Sequence, residues 1–381
     1  ARIVYVIAFS LYFYYKSSGI YFLLLVFAAA SDFLIARGIY RARFRWTKRW
    51  LVVLSVAVNL GMLGYFKYTN FLIDISNQLF GQGFLQFQNI FLPVGISFFV
   101  FQSMSYTIDI YRGQLKPLSN WLDYLFYLSF FPQLVAGPIV RARDFIPQIR
   151  QNPVVVTREM FGTGIYLIAI GLFKKAVISD YISLNFVDRI FDDPALYSGM
   201  ECLAAVYGYA LQIYCDFSGY SDMAIGLALL LGFRFPKNFD APYHSATITE
   251  FWRRWHISLS MWLRDYLYIS LGGNRKGRLR TYFNLLVTMV LGGLWHGAAI
   301  RFVLWGTLHG VALALHKLWL SVVPGAKVSG YQMHPISRLA GILVTFHLVC
   351  FGWLLFRADS MRTVQLLSLI HISEPTRPLY I

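Results

Sequence analysis

The stretch Ile20-Tyr-Phe-Leu-Leu-Leu-Val-Phe-Ala-Ala-Ala-Ser-Asp-Phe-Leu-Ile-Ala36 is apolar except for one serine and one aspartate. A helix that crosses a lipid bilayer needs about 20 mostly apolar residues. Similar runs recur along the chain, at 3–15, 20–36, 50–68, 90–110, 161–179, 201–231, 281–299, 301–320 and 338–356. Charged residues make up 14% of the 381 residues and hydrophobic residues 57%, whereas an ordinary soluble domain has about 25% charged residues. The sequence therefore predicts an all-α polytopic membrane protein.

The formal net charge of +16 comes from 34 Lys and Arg residues against 18 Asp and Glu residues. Such an excess is typical of nucleic-acid-binding proteins, but here the basic residues lie in short loops between apolar runs. This placement follows the positive-inside rule of membrane proteins. We expect no nucleic-acid partner, and we expect the basic loops within 37–49, 141–158 and 275–280 to face the cytoplasm. A second interpretation is that these loops dock an acidic partner or an anionic acyl donor.

The sequence gives no sign of a metal site or a bound cofactor. The cysteines Cys202, Cys215 and Cys350 lie in apolar surroundings without paired spacing, which argues against disulfides or zinc. His256 and His296 are 40 residues apart, and a metal site needs several ligands close together. No Walker loop, GxGxxG, HExxH or GxSxG motif is present. We therefore expect no metal and no bound cofactor.

The two ends of the chain are unusual. Residue 1 is alanine within an apolar run, so we expect part of the membrane domain to precede it. The tail Leu367-Ser-Leu-Ile-His-Ile-Ser-Glu-Pro-Thr-Arg377 resembles one reading-frame translation of a transposase-type sequencing-library adapter. Residues 367–381 are therefore predicted to be non-native. Residues 1–366 show no internal repeat and no low-complexity linker, which predicts a single membrane domain.

Two apolar segments differ from a simple spanning helix. Segment 120–136 runs into two prolines and a glycine, which predict a helix that enters the membrane and stops where protein surrounds it. Segment 201–231 is too long for one simple span, and we predict a break near Gly219. It also carries Asp216 and Asp222, which are expected to pair with an arginine or to orient a histidine.

His296 is the first candidate for acid–base chemistry and lies in Leu291-Gly-Gly-Leu-Trp-His-Gly-Ala298. It follows Arg280 by 16 residues, a rise of about 24 Å in a helix. That rise would carry it most of the way across a hydrocarbon core of about 30 Å, where ionisable groups are costly and usually functional. The glycines around it would let a substrate or another backbone approach. The alternative is a histidine that only packs helices together.

The second candidate lies in Phe251-Trp-Arg-Arg-Trp-His-Ile-Ser-Leu-Ser-Met-Trp-Leu-Arg-Asp-Tyr266. If this stretch is one helix, then Arg253, His256, Ser260 and Arg264 share a flank beside an aromatic face. Such a composition suits a re-entrant helix or one at the headgroup level. The polar flank would then meet lipid phosphate, or it would form the wall of a buried channel for a charged acyl donor.

His309 lies in Trp305-Gly-Thr-Leu-His-Gly310, one helix after His296. Its place within an apolar run favours a packing role over catalysis.

Together these segments resemble the membrane-bound O-acyltransferase superfamily, in particular its bacterial alginate O-acetyltransferase branch. The resemblance extends over most of residues 1–366 and is strongest from Phe131 to His309. It rests on five strings in this order: Phe130-Phe-Pro-Gln-Leu-Val-Ala-Gly-Pro138, Tyr214-Cys-Asp-Phe-Ser-Gly-Tyr-Ser-Asp222, Phe251-Trp-Arg-Arg-Trp-His-Ile-Ser-Leu-Ser260, Leu271-Gly-Gly-Asn-Arg275 and Gly292-Gly-Leu-Trp-His-Gly297.

The resemblance implies an MBOAT-type ring of tilted transmembrane and re-entrant helices around a central tunnel. The family moves an acyl group from a cytoplasmic thioester donor to a hydroxyl acceptor. In the bacterial polysaccharide branch, the acetyl group crosses the inner membrane, and periplasmic partners of the SGNH-hydrolase type complete its transfer. We therefore expect an acetyl-CoA or acyl-carrier donor, a polysaccharide acceptor, contact with membrane lipid and an inner-membrane location.

The resemblance also implies roles for single residues. His296 matches the principal catalytic histidine of the family, and we expect it to act as general base on the acceptor hydroxyl. His256 matches the second histidine and would orient the donor or stabilise the oxyanion. Trp295 and Trp255 would wall the tunnel and exclude water. The remaining residues expected in the donor tunnel are Arg253, Ser260, Asp222 and His309. A covalent acyl intermediate stays open.

Other functions stay open at this point. Within the enzyme interpretation, the alternative is D-alanyl transfer to teichoic acid. A transporter would use His296 and Asp222 as a proton relay, but it predicts a repeat symmetry that the sequence does not have. A non-catalytic scaffold of a polysaccharide-secretion complex predicts that His296→Ala leaves acylation intact. The acceptor polymer, whether alginate, cellulose, another exopolysaccharide or peptidoglycan, is not set by the sequence.

Overall fold

The computed structural model describes residues 2–135, 137–150, 155–323 and 334–373, and within these ranges it contains helices and no strand. The all-α prediction is confirmed. Residues 374–381 of the tail predicted to be non-native lie outside the described residues, and residues 367–373 continue the last helix.

The helices of the first part of the chain are α1 (Arg2–Ser18), α2 (Phe22–Arg41), α3 (Arg45–Leu63), α4 (Thr69–Phe80), α5 (Ile96–Tyr111), α6 (Trp121–Ser129), α7 (Phe131–Leu134), α8 (Ala142–Ile149) and α9 (Arg158–Leu172). Those that follow are α10 (Asp180–Ile182), α11 (Asp188–Asp192), α12 (Gly199–Leu230), α13 (Ile248–Arg254), α14 (Ile257–Trp262), α15 (Arg278–His296), α16 (Ile300–Val322), α17 (Pro335–Arg357) and α18 (Met361–Ser373). Stretches of π-helix cover Gly64–Tyr68, Phe173–Ser179, Ser183–Val187 and Leu263–Tyr268, and short 3₁₀ turns cover Gly19–Tyr21, Pro194–Leu196 and Pro242–His244.

The chain forms two compact units. The first comprises residues 1–168 and 224–236, and the second comprises 169–223 and 237–381. The chain passes from one unit to the other within α9 and α12 and after residue 236. The single membrane domain over residues 1–366 stays a prediction.

Four helical stretches of the described residues are long and apolar enough to cross a membrane: Arg2–Arg41, Arg45–Phe80, Arg158–Asp192 and Pro335–Arg357. Large apolar side chains on them point outward; Leu34, for example, is 66% exposed and Val344 is 70% exposed. Exposed apolar side chains at this density are costly in water and favourable in lipid. These stretches support the predicted polytopic membrane fold.

A buried carboxylate holds the first unit together. Asp32 of α2 accepts hydrogen bonds from Ser55 Oγ at 2.6 Å, from Asn59 Nδ2 at 2.6 Å and from Ser103 Oγ. Ser103 lies on α5 and also contacts the hydroxyl of Tyr124 at 2.9 Å. Because buried polar groups are costly when unpaired, this network fixes α2, α3, α5 and α6 against each other.

The second unit contains an antiparallel pair of helices, α15 and α16, joined by a short loop. Glycines bring their backbones into contact: a Cβ added at Gly306 would lie 2.8 Å from Val290 Cα, and one at Gly310 would lie 3.0 Å from Leu286 Cα. Such small-residue packing is typical of membrane helices, where close backbone approach replaces the hydrophobic effect. It fixes the end of α15, which carries His296, against the first half of α16.

The sequence predicted two helix ends, and the structure confirms one of them and contradicts the other. The predicted stop in segment 120–136 is confirmed, because α6 ends at Ser129 and α7 at Leu134. The predicted break near Gly219 is wrong, since α12 is continuous from Gly199 to Leu230. A Cβ at Gly219 would lie 3.3 Å from the Lys175 backbone nitrogen. This glycine therefore serves a close helix contact and does not end a helix.

Candidate active site

The stretch that carries His256 is not a single helix, and the prediction that it forms one is wrong. α13 ends at Arg254 and α14 begins at Ile257. Between them His256 has φ +42° and ψ +56°, a left-handed conformation that is uncommon for residues other than glycine. The Ile257 N–H donates to the Asn238 carbonyl at 2.9 Å, and this bond helps to hold the turned backbone in place.

The His256 ring is buried and held at one nitrogen. Its side chain is 1% exposed, and Nδ1 lies 3.2 Å from Asn238 Oδ1. Nε2 has no hydrogen-bond partner among the described residues. Burial lowers the pKa of His256, which lies outside the four spanning stretches, and the charge of His296 lowers it further. The ring is therefore neutral near pH 7.

His256 and His296 both contact the ring of one tryptophan, Trp295. The Trp295 ring lies 6.1 Å from the His256 ring and 5.0 Å from the His296 ring, measured between centroids. His296 is the last residue of α15 and is half-buried. The structure thus brings His256 together with the consecutive residues Trp295 and His296, although His256 and His296 are 40 residues apart in the sequence.

His296 also contacts a second tryptophan that the sequence analysis did not assign to the site. The Trp305 ring of α16 lies 5.2 Å from the His296 ring and 4.7 Å from the His309 ring. His309 is fully buried, and its ring also lies 5.2 Å from Trp252. A continuous row of aromatic and imidazole rings therefore runs from His256 to His309.

Trp255 lies in the aromatic core of the second unit. It is 3% exposed, and its ring centroid lies 4.9 Å from Trp353 and 5.0 Å from Phe239. Its role as a wall of the tunnel stays a prediction.

A cavity of about 790 Å³ opens in the second unit. It receives three of the four residues predicted to share a flank, Arg253, Ser260 and Arg264, while His256 is not part of its lining among the described residues. The broken helix explains this difference, because the backbone turn at His256 points its ring away from that flank. The lining also includes Trp252, Thr249, Thr288, His316 and Lys317.

Three cationic side chains lie among the mostly apolar side chains of the cavity lining, and one of them, Arg264, is paired with Asp265. Arg253, Arg264 and Lys317 line it, and His316 Nδ1 contacts Thr249 Oγ1 at 2.8 Å. Trp252 lines the same cavity and contacts both Trp305 and His309. The wall of the cavity that Trp252 forms is therefore one aromatic ring away from His309.

Asp222 pairs with a lysine and not with a histidine or an arginine. Its Oδ2 accepts from Lys174 Nζ at 2.6 Å, and Asp216 lies 2.6 Å from Lys175 Nζ. Both lysines lie on the π-helical stretch Phe173–Ser179, which packs on α12 through Gly171 and Gly219. The place of Asp222 in the donor tunnel stays a prediction.

We expect Asp222→Asn to lower the free energy of unfolding by about 1–3 kcal/mol, because it removes a charge-assisted hydrogen bond and leaves Lys174 unpaired. Thermal unfolding in detergent would measure the change. The double variant Lys174→Met/Asp222→Asn should recover part of the loss, since it removes the unpaired charge. The exposed pair of Lys237 and Asp240 is a matched control, and Asp240→Asn should cost at most about 1 kcal/mol. Equal losses at the two aspartates would contradict this prediction.

No group of three or more His, Cys, Asp and Glu residues in the described ranges could hold a metal ion. The site offers imidazole rings, indole N–H groups and a cavity with cationic side chains, and burial lowers the pKa of His256 and His309 so that both rings are neutral near pH 7. Imidazoles of this kind accept protons from hydroxyl groups, and the cationic cavity suits a substrate with phosphate or carboxylate groups. Together they suit transfer of a group from an anionic donor to a hydroxyl.

Sequence reasoning missed Asn238 and Trp305. Asn238 lies in the loop Pro236-Lys-Asn-Phe239, where no periodicity marks a side chain as buried. Trp305 could have been found, since it stands four residues before His309 and therefore on the same helix face.

Comparison with known proteins places the chain among acyltransferases. The model of the membrane-bound O-acyltransferase family matches residues 111–351. A probable alginate O-acetylase of Pseudomonas aeruginosa is 44% identical over 328 residues, which cover 85% of this chain and 60% of the relative. A peptidoglycan O-acetyltransferase of Helicobacter pylori is 36% identical, covering 93% of this chain and 70% of the relative.

A more distant relative has a different acyl group in its name. A teichoic acid D-alanyltransferase of Bacillus subtilis is 30% identical, covering 70% of this chain and 69% of the relative. The chain spans about three fifths of the length of the alginate O-acetylases it matches. Because the family model matches well over half of the chain, the protein belongs to the membrane-bound O-acyltransferase family.

Proposed function

We propose that the protein is an O-acetyltransferase that moves an acetyl group from a cytoplasmic acyl thioester across the bacterial inner membrane, for O-acetylation of an exopolysaccharide such as alginate. The observation that carries this proposal is the row of rings from His256 to His309 beside a cationic cavity. The relatives named as alginate O-acetylases support the acetyl group and the polysaccharide.

In the proposed reaction His296 takes the proton of the acceptor hydroxyl as its oxygen attacks the thioester carbonyl carbon. The carbon–sulfur bond breaks, and the leaving thiolate receives a proton from the imidazolium of His296. Trp295 and Trp305 cover the imidazole on two sides. They exclude water, which would otherwise hydrolyse the thioester.

The cavity is the proposed site of the donor's charged part. Thr288 on α15 and Lys317 on α16 both line it. Thr288 lies eight residues from His296, and Lys317 lies eight residues from His309. Eight residues of helix rise by about 12 Å. A donor with phosphate groups in the cavity therefore needs an extended arm to bring its thioester to the histidines, and coenzyme A and acyl carriers both have such an arm.

The charges of the cavity give a test of this placement. We expect the double variant Arg253→Gln/Lys317→Gln to raise KM for acetyl-coenzyme A by about 10–100-fold, since a charge-assisted hydrogen bond contributes about 1.5–3 kcal/mol. The value of kcat should change only a few-fold, because neither side chain contacts the histidine row. Initial rates in proteoliposomes at low salt would measure both constants. Lys237→Gln, on an exposed loop, is the control that should leave KM unchanged. An unchanged KM in the double variant would remove the cavity as the donor site.

The proposed partners follow from the same reaction. A cytoplasmic thioester supplies the acetyl group, and periplasmic proteins of the SGNH-hydrolase type take it to the polymer. Lipid surrounds the spanning helices, which carry exposed apolar side chains.

Peptidoglycan is the second candidate acceptor, because the Helicobacter pylori relative matches 93% of the chain. D-alanyl transfer to teichoic acid is the alternative acyl group and is supported by the Bacillus subtilis relative. These functions leave different chemical groups on different polymers.

The function would be tested by deleting the full-length gene that contains this chain and restoring it on a plasmid. Ester-linked acetyl on secreted polysaccharide, O-acetyl on peptidoglycan and ester-linked D-alanine on teichoic acid would be measured in each strain. The proposal requires loss of polysaccharide acetyl on deletion and its return on complementation. Loss confined to peptidoglycan acetyl or to D-alanine would select the corresponding alternative. No change in any of the three would favour a transporter or scaffold.

A further inference from the structure

The side chain of Asn238 is buried, and its hydrogen bonds connect the residues around His256. It is fully buried, and its Oδ1 accepts from the Ser258 backbone N–H at 3.2 Å and from Ser258 Oγ at 2.8 Å. Its Nδ2 donates to Ser221 Oγ at 3.0 Å. The same Oδ1 lies 3.2 Å from His256 Nδ1. One amide group thus connects α12, the turn at His256 and the start of α14.

These bonds fix which atom of the amide faces His256. A backbone N–H can only donate, so the atom that it contacts must be the amide oxygen. The orientation of the Asn238 amide therefore follows from a donor with no alternative state. Since Oδ1 accepts hydrogen bonds and cannot donate them, the neutral His256 ring carries its proton on Nδ1 and donates it to Oδ1.

The other ring nitrogen then carries a lone pair. Nε2 of His256 has no hydrogen-bond partner among the described residues, and the side chain is 1% exposed. A buried acceptor without a donor is unfavourable, because it has lost its hydrogen bond to water. The centroid of the His256 ring lies 4.6 Å from that of Phe217 and 6.1 Å from that of Trp295, and the Trp295 ring also contacts His296. The lone pair therefore belongs to a ring that one tryptophan joins to the proposed catalytic histidine.

We propose that Asn238 is a positioning residue that keeps the proton of His256 on Nδ1, so that Nε2 accepts a hydrogen bond or a proton from the substrate during acyl transfer. The inference rests on the proposed function. It assigns His256 to orienting an N–H or O–H group of the substrate, because a neutral ring with a lone pair on Nε2 repels an oxyanion. The left-handed backbone at His256 is part of the same arrangement, since Asn238 binds the residues directly after it through both its backbone and its side chain.

The test compares two substitutions at Asn238 in the full-length protein, reconstituted in proteoliposomes with acetyl-coenzyme A and alginate oligomers. Asn238→Ala should lower the rate of acetyl transfer at least 10-fold, because the ring is free to adopt the other tautomer. Asn238→Asp retains an acceptor at Nδ1 and should keep the rate within a few-fold of wild type at high pH. Ser258→Ala is the matched control, since it removes one bond to the same oxygen and a longer 3.5 Å contact with Nδ1 but leaves the bond between Asn238 and His256; it should cost only a few-fold.

The pH profile separates positioning from mere structure. A carboxylate at position 238 would stabilise the protonated ring and raise the pKa of His256. The substrate-binding lone pair exists only in the neutral ring, so the acidic limb of kcat/KM should move to higher pH in Asn238→Asp. The titratable group whose charge acts on His256 is His296, and it is unchanged in all these variants. Equal losses in Asn238→Ala and Asn238→Asp, or no loss in Asn238→Ala, would overturn the inference.

A second measurement does not depend on activity. In protein labelled with ¹⁵N-histidine, the signals of His256 would be assigned by their absence in His256→Gln. We expect a protonated Nδ1 and an unprotonated Nε2 near pH 7, and a mixture of tautomers in Asn238→Ala. A proton on Nε2 in the wild-type protein would overturn the inference even if the protein transfers acetyl. Absence of acetyl transfer together with the expected tautomer would instead contradict the proposed function alone.

Discussion

His296→Ala should lower the rate of acetyl transfer by about 10²–10⁴-fold, the usual contribution of a general base. The imidazole stands at the end of α15 between Trp295 and Trp305, and alanine leaves no group there that accepts a proton. Donor binding should change little, because the part of α15 that lines the cavity ends at Met289, about two turns of helix before His296. The loss should therefore appear in kcat and only weakly in KM.

Ester-linked acetyl on secreted polysaccharide would measure the effect in cells, and thiol release from acetyl-coenzyme A would measure it in proteoliposomes. His347→Ala is the matched control. That histidine contacts the Tyr207 hydroxyl at 2.8 Å on an exposed part of the second unit and should not affect the rate. If His296→Ala retained full acetylation at equal membrane abundance, His296 would be a packing residue and the proposed mechanism would fail.

Gly306→Val should prevent the second unit from folding correctly. Even a Cβ at this position would lie 2.8 Å from Val290 Cα and 2.9 Å from the Met289 carbonyl carbon, both in the backbone of α15. A backbone has no rotamer with which to move away, so α15 and α16 would have to separate. We expect the free energy of unfolding to fall by about 3 kcal/mol or more, the upper end of overpacking costs. Separation would also move Trp305 away from His296, so activity should fall with stability.

Membrane abundance and the melting temperature in detergent would show this effect. Gly162 provides the matched control, since it lies within α9 and a Cβ there would have no heavy atom within 4 Å. Gly162→Ala should be neutral or stabilising by up to about 1 kcal/mol, because alanine favours the helix. A Gly306→Val protein as stable as the Gly162→Ala protein would show that the close contact of α15 and α16 does not determine stability.

Much of the helical fold could be predicted from the sequence because hydrophobicity is a property of each segment alone. Runs such as 20–36 and 338–356 became parts of α2 and α17. The break predicted at Gly219 failed for a physical reason: a glycine can end a helix or bring two helices together. Only its neighbour Gly171, 48 residues earlier, decides between the two outcomes, and a local pattern does not contain that contact.

The candidate site, like the fold, could be predicted from the sequence only in part. His256, Trp295 and His296 could be chosen from the sequence, since ionisable and aromatic residues in apolar runs are rare and costly. Their proximity was not predictable from spacing, because His256 and His296 reach one another only through folding. The split of the segment around His256 into α13 and α14 was also not predictable. It depends on hydrogen bonds from Asn238, which lies outside that segment.

At His256 the backbone conformation that the proposed function uses is unfavourable for the stability of the fold. A left-handed conformation costs an L-residue about 1–2 kcal/mol, whereas glycine adopts it freely. Replacement by glycine would relieve that strain and remove a buried nitrogen without a partner, while the protein lost its second imidazole. If the proposed function holds, lineages that no longer acetylate a polymer would therefore gain from changing this residue early. A histidine retained in this conformation would be a sign, within a genome, that the modification still matters to the cell.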